Sequence, residues 1–202
     1  AGTVKEDDAR VDLLFRAAQV WQTPLDKVDR AVRALERVLS IDETNAAAAN
    51  ALAPIYEEAG DDKKLGAVLE IALSHLDPSV SPAETYATLT RLAQLGEGRL
   101  RNPAAAFTYY ARAFAIGSAD VEDPFEDLER VASSLGVWDE VATVYSDRLD
   151  VLAGADDRDA ERELRLRLAR VLHEELGRIE ESLFHYEQVL DAWPEERRAL
   201  AA

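Results

Sequence analysis

Apolar side chains recur along this chain at three- and four-residue steps, in helix-length stretches separated by short polar or glycine- and proline-bearing breaks. Ala9 to Gln22 reads as one amphipathic helix that Thr23-Pro24 stops. A second helix from about Leu25 to Ser40 carries Val28, Ala31, Val32, Leu35, Val38 and Leu39 on one stripe. Two such helices joined by a tight turn make a hairpin. Thr44 is positioned to cap a third helix that holds Leu52, Ile55 and Tyr56 and ends at Gly60. Asp61-Asp62 then open a fourth, which runs through His75 to the break at Asp77-Pro78. Pro54 lies inside the third helix and predicts a packing bend.

The same plan continues. A third hairpin is expected from about Pro82 to Ala115, with its turn at Arg101-Asn102-Pro103, and Gly117-Ser118 ends it. A fourth spans about Pro124 to Leu152 around Gly136, with Trp138, Val141, Val144, Tyr145 and Leu149 as its stripe and an exit loop at 154–157. A fifth uses Asp159–Leu176 and Ile179–Ala192, turning at Gly177 and ending at Trp193-Pro194. Residues 195–202 read as the first turns of another helix, whose apolar face has no partner within the chain, and the chain is expected to be a piece of a longer array.

One spaced pair recurs in the second helix of every hairpin: Ala31 and Leu35, Leu65 and Leu69, Ala106 and Tyr110, Val141 and Tyr145, Ser182 and Tyr186. The second members are 34, 41, 35 and 41 residues apart, the period of stacked helical hairpins rather than of one globular core. The expected fold is therefore all-α, an array with approximate repeats 9–43, 44–80, 81–119, 120–155 and 156–194.

The runs 168–172, 176–182 and 186–190 with Pro194, and likewise Leu52 to Tyr56, Gly60-Asp61, Leu65, Leu69, Ala72 and Asp77-Pro78, resemble the tetratricopeptide repeat. The pattern is degenerate: Val141 and Ser182 stand where the family has alanine, and the 41-residue intervals exceed its usual length. The resemblance implies a right-handed superhelical solenoid of about five antiparallel hairpins, whose first helices line a concave groove for peptides or protein segments. The subclass that clamps a peptide carboxylate needs lysines and asparagines on successive first helices; here Glu57 and Glu58 stand where cations are wanted, so that ligand is not expected.

Charge and composition narrow the chemistry. With 23 basic and 40 acidic residues the net charge is −17, which opposes phosphate backbones and anionic lipids, so nucleic acid binding is not expected, and no apolar stretch approaches the roughly 18 residues that span a bilayer, so membrane insertion is not expected either. The acidity serves solubility or steers a basic partner. The absence of cysteine removes disulfides, thiolate nucleophiles and cysteine-ligated zinc. Abundant alanine and 19 arginines against 4 lysines suggest a GC-rich bacterial source. The compartment stays open, with a soluble cytoplasmic setting favoured.

Helical periodicity places Arg91, Gln94, Arg130, Arg167 and Arg170 on groove-facing sides of first helices, where guanidinium groups can grip carboxylates or carbonyls of a partner. The plainer alternative pairs them with Glu97, Asp127, Glu163 and Glu174 as solvated ion pairs. Trp21, Trp138 and Trp193 are read as packing residues, Trp193 being the exception expected to serve as an exposed anchor. His173-Glu174-Glu175 has the start of a zinc-binding helix, but Gly177 replaces the second histidine, and His75 and His185 complete no ligand set. No phosphate loop, nucleophile elbow or dinucleotide fingerprint occurs, and adjacent acids such as Glu57-Glu58 point in different directions. Neither cofactor nor metal is expected, and no enzyme activity. The expected role is non-catalytic protein binding or scaffolding, the alternative being a sensor array that controls an attached effector domain. Self-association through the array ends, at Leu200 or the first helix, is a further expectation.

Overall fold

The computed structural model describes residues 2–22, 28–116, 125–154 and 157–201. All regular structure within them is helical: α1 Gly2–Gln22, α2 Val28–Ile41, α3 Ala46–Ala59, α4 Asp62–Ser74, α5 Pro82–Glu97, α6 Pro103–Ile116, α7 Phe125–Leu135, α8 Trp138–Leu152, α9 Arg158–Arg170, α10 Ile179–Ala192 and α11 Arg197–Leu200. The stops expected at Thr23-Pro24 and Gly117-Ser118, and the starts expected at Leu25 and Pro124, lie outside the described residues.

The helices gather into two compact units, Ala1–Asn102 and Pro103–Ala202. In the first, α1 packs on α2 and α3 on α4, while α2–α3 and α4–α5 contacts join successive hairpins. In the second, α7 packs on α8 and α9 on α10, with α6 against α7 and α8, and α8 against α9. The repeated pair of second-helix positions supplies much of both cores. Ala31, Leu35, Leu65, Leu69, Ala106, Tyr110, Val141, Tyr145 and Ser182 are all buried, and Tyr186 is half-buried. The small first member lets two helix backbones approach, and the larger second member fills the space one turn on. First helices contribute a matching pattern, Leu52-Ala53, Leu92-Ala93, Val131-Ala132 and Leu168-Ala169, every one of them buried. In the second unit the rings of Phe114, Phe125 and Tyr145 meet with centroids 4.9, 5.2 and 5.7 Å apart, tying α6, α7 and α8 together.

Helix ends follow local chemistry. Gly60, Gly136 and Gly177 hold positive φ values of 68°, 71° and 63°, the left-handed turn that reverses each hairpin, and Arg101 takes the same region at 51° before Pro103 opens α6. Two expectations are corrected. The cap of α3 is Asn45, whose side chain accepts from the Ala48 N–H at 2.9 Å, while the Thr44 hydroxyl donates to Asp42 instead. Pro54 lies within α3 on its exposed side, where water can take up the carbonyl that proline leaves without an N–H donor. The first helix of the fifth hairpin is α-helical only to Arg170 and continues as a π turn over Val171–Glu175, closed by the Leu176 N–H on the Val171 carbonyl at 3.2 Å.

Candidate functional site

Arg91, on α5, hydrogen-bonds Glu57 on α3. Arg170, on α9, hydrogen-bonds Glu129 on α7 and lies 4.0 Å from Glu174 in the π turn. Arg198, on α11, reaches back to Glu163 on α9 at 2.8 Å. The three interhelical pairs span 34, 41 and 35 residues, one hairpin step each, and join successive first helices in the same sense, with the cation following the acid. A second set runs between the hairpin turns and second helices: Arg99 bonds Asp62 at 3.0 Å and Arg178 bonds Asp139. The cations that periodicity singled out are thus already engaged within the chain.

The surroundings of Glu129 are the most tightly held. Its carboxylate is largely buried, accepts the Tyr145 hydroxyl at 2.9 Å, and has Arg167 at 3.6 Å beside Arg170. Burial, and then the charge of Glu129 beside it, push the Tyr145 phenol far above its ordinary value, so its hydroxyl stays protonated and donating. Burial disfavours the charged form of Arg170, but the Glu129 hydrogen bond and charge outweigh it and raise its pKa. Arg167 stacks its guanidinium over the Phe125 ring at 4.3 Å and bonds Glu163 at 3.1 Å. Burial likewise opposes the Glu163 charge, and Arg198 and Arg167 overcome it and hold the carboxyl below the usual range.

Above this network lies a cleft of about 500 Å³ lined by Glu163, Leu166, Arg167, Arg170, Glu174, Tyr186, Arg198 and Ala201. It joins α9, the π turn, α10 and α11. In the first unit a smaller cleft of about 260 Å³ lies between α3, α4 and α5, with Asn50, Pro54, Glu57, Thr88 and Arg91 among its walls. Of the five predicted residues, Arg167 and Arg170 therefore share one cleft and Arg91 lines another. Arg130 bonds Asp127 at 2.6 Å within α7, and Gln94 is exposed on α5.

Of the acids expected to hold these arginines, Asp127, Glu163 and Glu174 do so, while Glu57 and Glu129 were missed. The signal that could have found them is a Glu–Arg pair one repeat interval apart. Tyr186 and Arg198 were missed as cleft residues for the same reason: each belongs to a different element that only packing brings to α9. Trp193, expected as an exposed anchor, is half-buried at the end of α10 with Arg158 and Arg162 on its ring at 5.5 and 5.6 Å. Among the described residues no three His, Cys, Asp or Glu side chains converge as metal ligands, and no helix is long and apolar enough to cross a membrane.

No protein-family profile matches this chain, and no curated protein matches it. Among solved structures 26 chains resemble it. One is the crystal structure of YrrB, described as a TPR protein with an unusual peptide-binding site, at 17% identity and a TM-score of 0.44 over 93% of this chain and 89% of that one.

Proposed function

We propose that this chain is a non-catalytic protein-interaction module that takes a peptide or protein segment in the cleft between α9, α10 and α11. The observation that carries the reading is the mixed wall of that cleft. Leu166, Tyr186 and Ala201 give an apolar floor, and the guanidinium groups of Arg167, Arg170 and Arg198 stand with Glu163 and Glu174 around it. Its volume of about 500 Å³ suits a few residues of a bound chain. Each guanidinium carries five N–H donors in a planar fork, more than its intramolecular partners use, so the remainder can meet backbone carbonyls or a carboxylate of a ligand. Arg170 and Arg198 keep 40% and 54% of their side-chain surface exposed, which leaves them within a ligand's reach.

The test is selection of binders from a random peptide library on the purified chain, followed by titration of the selected peptides. Arg170→Ala and Arg198→Ala are expected to weaken binding at least about tenfold each, the usual effect of removing a central interfacial arginine. Arg148→Ala, remote from the cleft lining, is expected to leave it unchanged. Peptides that bind equally well to all three variants exclude the cleft as the seat.

A further inference from the structure

We infer that this chain associates with a second copy through two oppositely charged helix faces, the arginine row of α2 in one copy lying antiparallel on the acidic row of α8 in the other. The inference does not rest on the cleft reading. Second helices share four register positions that the repeat interval carries from Arg30 to Lys64 and, three intervals on, to Glu140. On α2 these positions hold Arg30, Arg33, Arg37 and Ser40, and on α8 they hold Glu140, Thr143, Asp147 and Asp150. Steps of 3, 4 and 3 residues keep each row on one side of its helix. A chain with a net charge of −17 thus shows three cations on one helix face and three acids on another.

The rows are exposed by their register within a hairpin, not by where the sequence starts or stops. All four residues are exposed on α2 and all four on α8, although α8 is packed against α6, α7 and α9. On α4 the matching Lys64 and Ala67 are exposed as well, with the previous hairpin in place. Only the first of these positions meets that hairpin, where Lys64 bonds Glu36 of α2 at 2.7 Å. A hairpin ahead of α2 in the same register would therefore leave Arg33 and Arg37 open.

Both rows lack partners. Among the described residues no ion pair or hydrogen bond engages the guanidinium groups of Arg30, Arg33 and Arg37, or the carboxylates of Glu140, Asp147 and Asp150. Arg33 acts on Glu36 only through space, because that acid is bonded to Lys64 and Tyr56. What favours a second copy over another acidic protein is that the chain itself carries an unpaired acidic row with the matching spacing. In the antiparallel register Arg30 opposes Asp150, Arg33 opposes Asp147, and Arg37 lies between Thr143 and Glu140. That direction also brings Val151, 58% exposed beyond Asp150, toward Val28, 39% exposed ahead of Arg30, and it opposes the two helix dipoles. The net charge of −17 repels two copies at a distance, but this is screened beyond roughly 8 Å at physiological salt, and charges in contact lie inside that length. Exposed pairs contribute little each, so the association is weak and salt-sensitive. Because the two rows differ, the contact is heterologous, and each copy offers one of each.

Sedimentation velocity of the full chain from micromolar to millimolar concentration, in about 0.15 M and about 1 M salt, tests this. At the lower salt the mass is expected to rise above one copy with concentration, and at the higher salt to return to one copy. Arg33→Asp and Asp147→Arg, both at exposed positions, are each expected to weaken association at least about tenfold by placing like charges together. Combined in one chain they are expected to restore it, since the exchanged charges face each other again. Circular dichroism verifies that all three variants fold. A wild-type chain that stays monomeric throughout, association that persists in the higher salt, single variants without effect, or a double variant that does not recover would each overturn the proposal. So would a monomeric chain that binds a polyglutamate probe through Arg33, which would assign the arginine row to a different, acidic partner.

Discussion

Removing the Glu129 carboxylate isolates what holds one hairpin step together. In Glu129→Ala the Tyr145 hydroxyl, on a side chain with no exposed surface, loses its only described acceptor. A buried hydroxyl left without a partner costs about 1–3 kcal/mol. Loss of the Arg170 ion pair adds about 0–1 kcal/mol, kept small because that arginine is 40% exposed and solvent screens it. The expected destabilisation is therefore about 1–4 kcal/mol. Tyr145→Phe alone should cost about 0.5–1.5 kcal/mol, the worth of an ordinary hydrogen bond. In the Glu129→Ala background Tyr145→Phe removes an unpartnered hydroxyl instead of a bond, so it should cost nothing or recover stability, and the coupling should be at least about 0.5–1.5 kcal/mol. Urea unfolding followed by circular dichroism, with equal slopes verified across the four proteins, measures all terms. Additive effects, or a cost below about 0.5 kcal/mol for Glu129→Ala, would refute the view that the Tyr145–Glu129 bond is a structural tie.

Three further outcomes follow from the same structure. His185 has its Nδ1 buried without a hydrogen-bond partner, and burial and then Arg165 push its pKa below the ordinary value; the unfolded chain binds the proton more readily, so stability should fall as pH drops below about 6.5, and His185→Gln should remove that step in urea midpoints measured from pH 8 to 5. Gly136→Ala meets no atom within 4 Å, so its cost should be the left-handed backbone alone, about 1–2 kcal/mol by the same unfolding assay. Ala31→Leu enlarges a residue with no exposed surface at the close approach of two helices and should cost about 1–3 kcal/mol, read as a lowered thermal midpoint.

The hairpin plan was legible because it rests on periodicity. Ala31 and Leu35, Ala106 and Tyr110, or Val141 and Tyr145 repeat a small-then-large choice that close helix packing requires, and glycine at 60, 136 and 177 marks a backbone reversal that other residues resist. The π turn at Val171–Glu175 was not legible, since its residues give the same apolar spacing as an α-helix and the wider turn is settled by packing. Nor was the choice of Asn45 over Thr44 as the cap: both side chains can accept from a helix N–H, and Asp42 engages the threonine hydroxyl. The candidate cations were found by type and face, yet their interhelical partners lie a whole repeat away, as with Glu57 for Arg91 and Glu129 for Arg170. Local spacing along one helix carries no information about an acid on the previous first helix.

The most direct test of the binding role is hydrogen exchange across the chain, with and without a library-selected peptide at saturation. The account predicts slowed exchange in α9, the π turn and α11, around Glu163 to Glu174 and Arg198, and little change in α2 or α4. Slowing confined to α2 and α4, or absent while the peptide is bound, would contradict the assignment of the cleft as the seat of a partner.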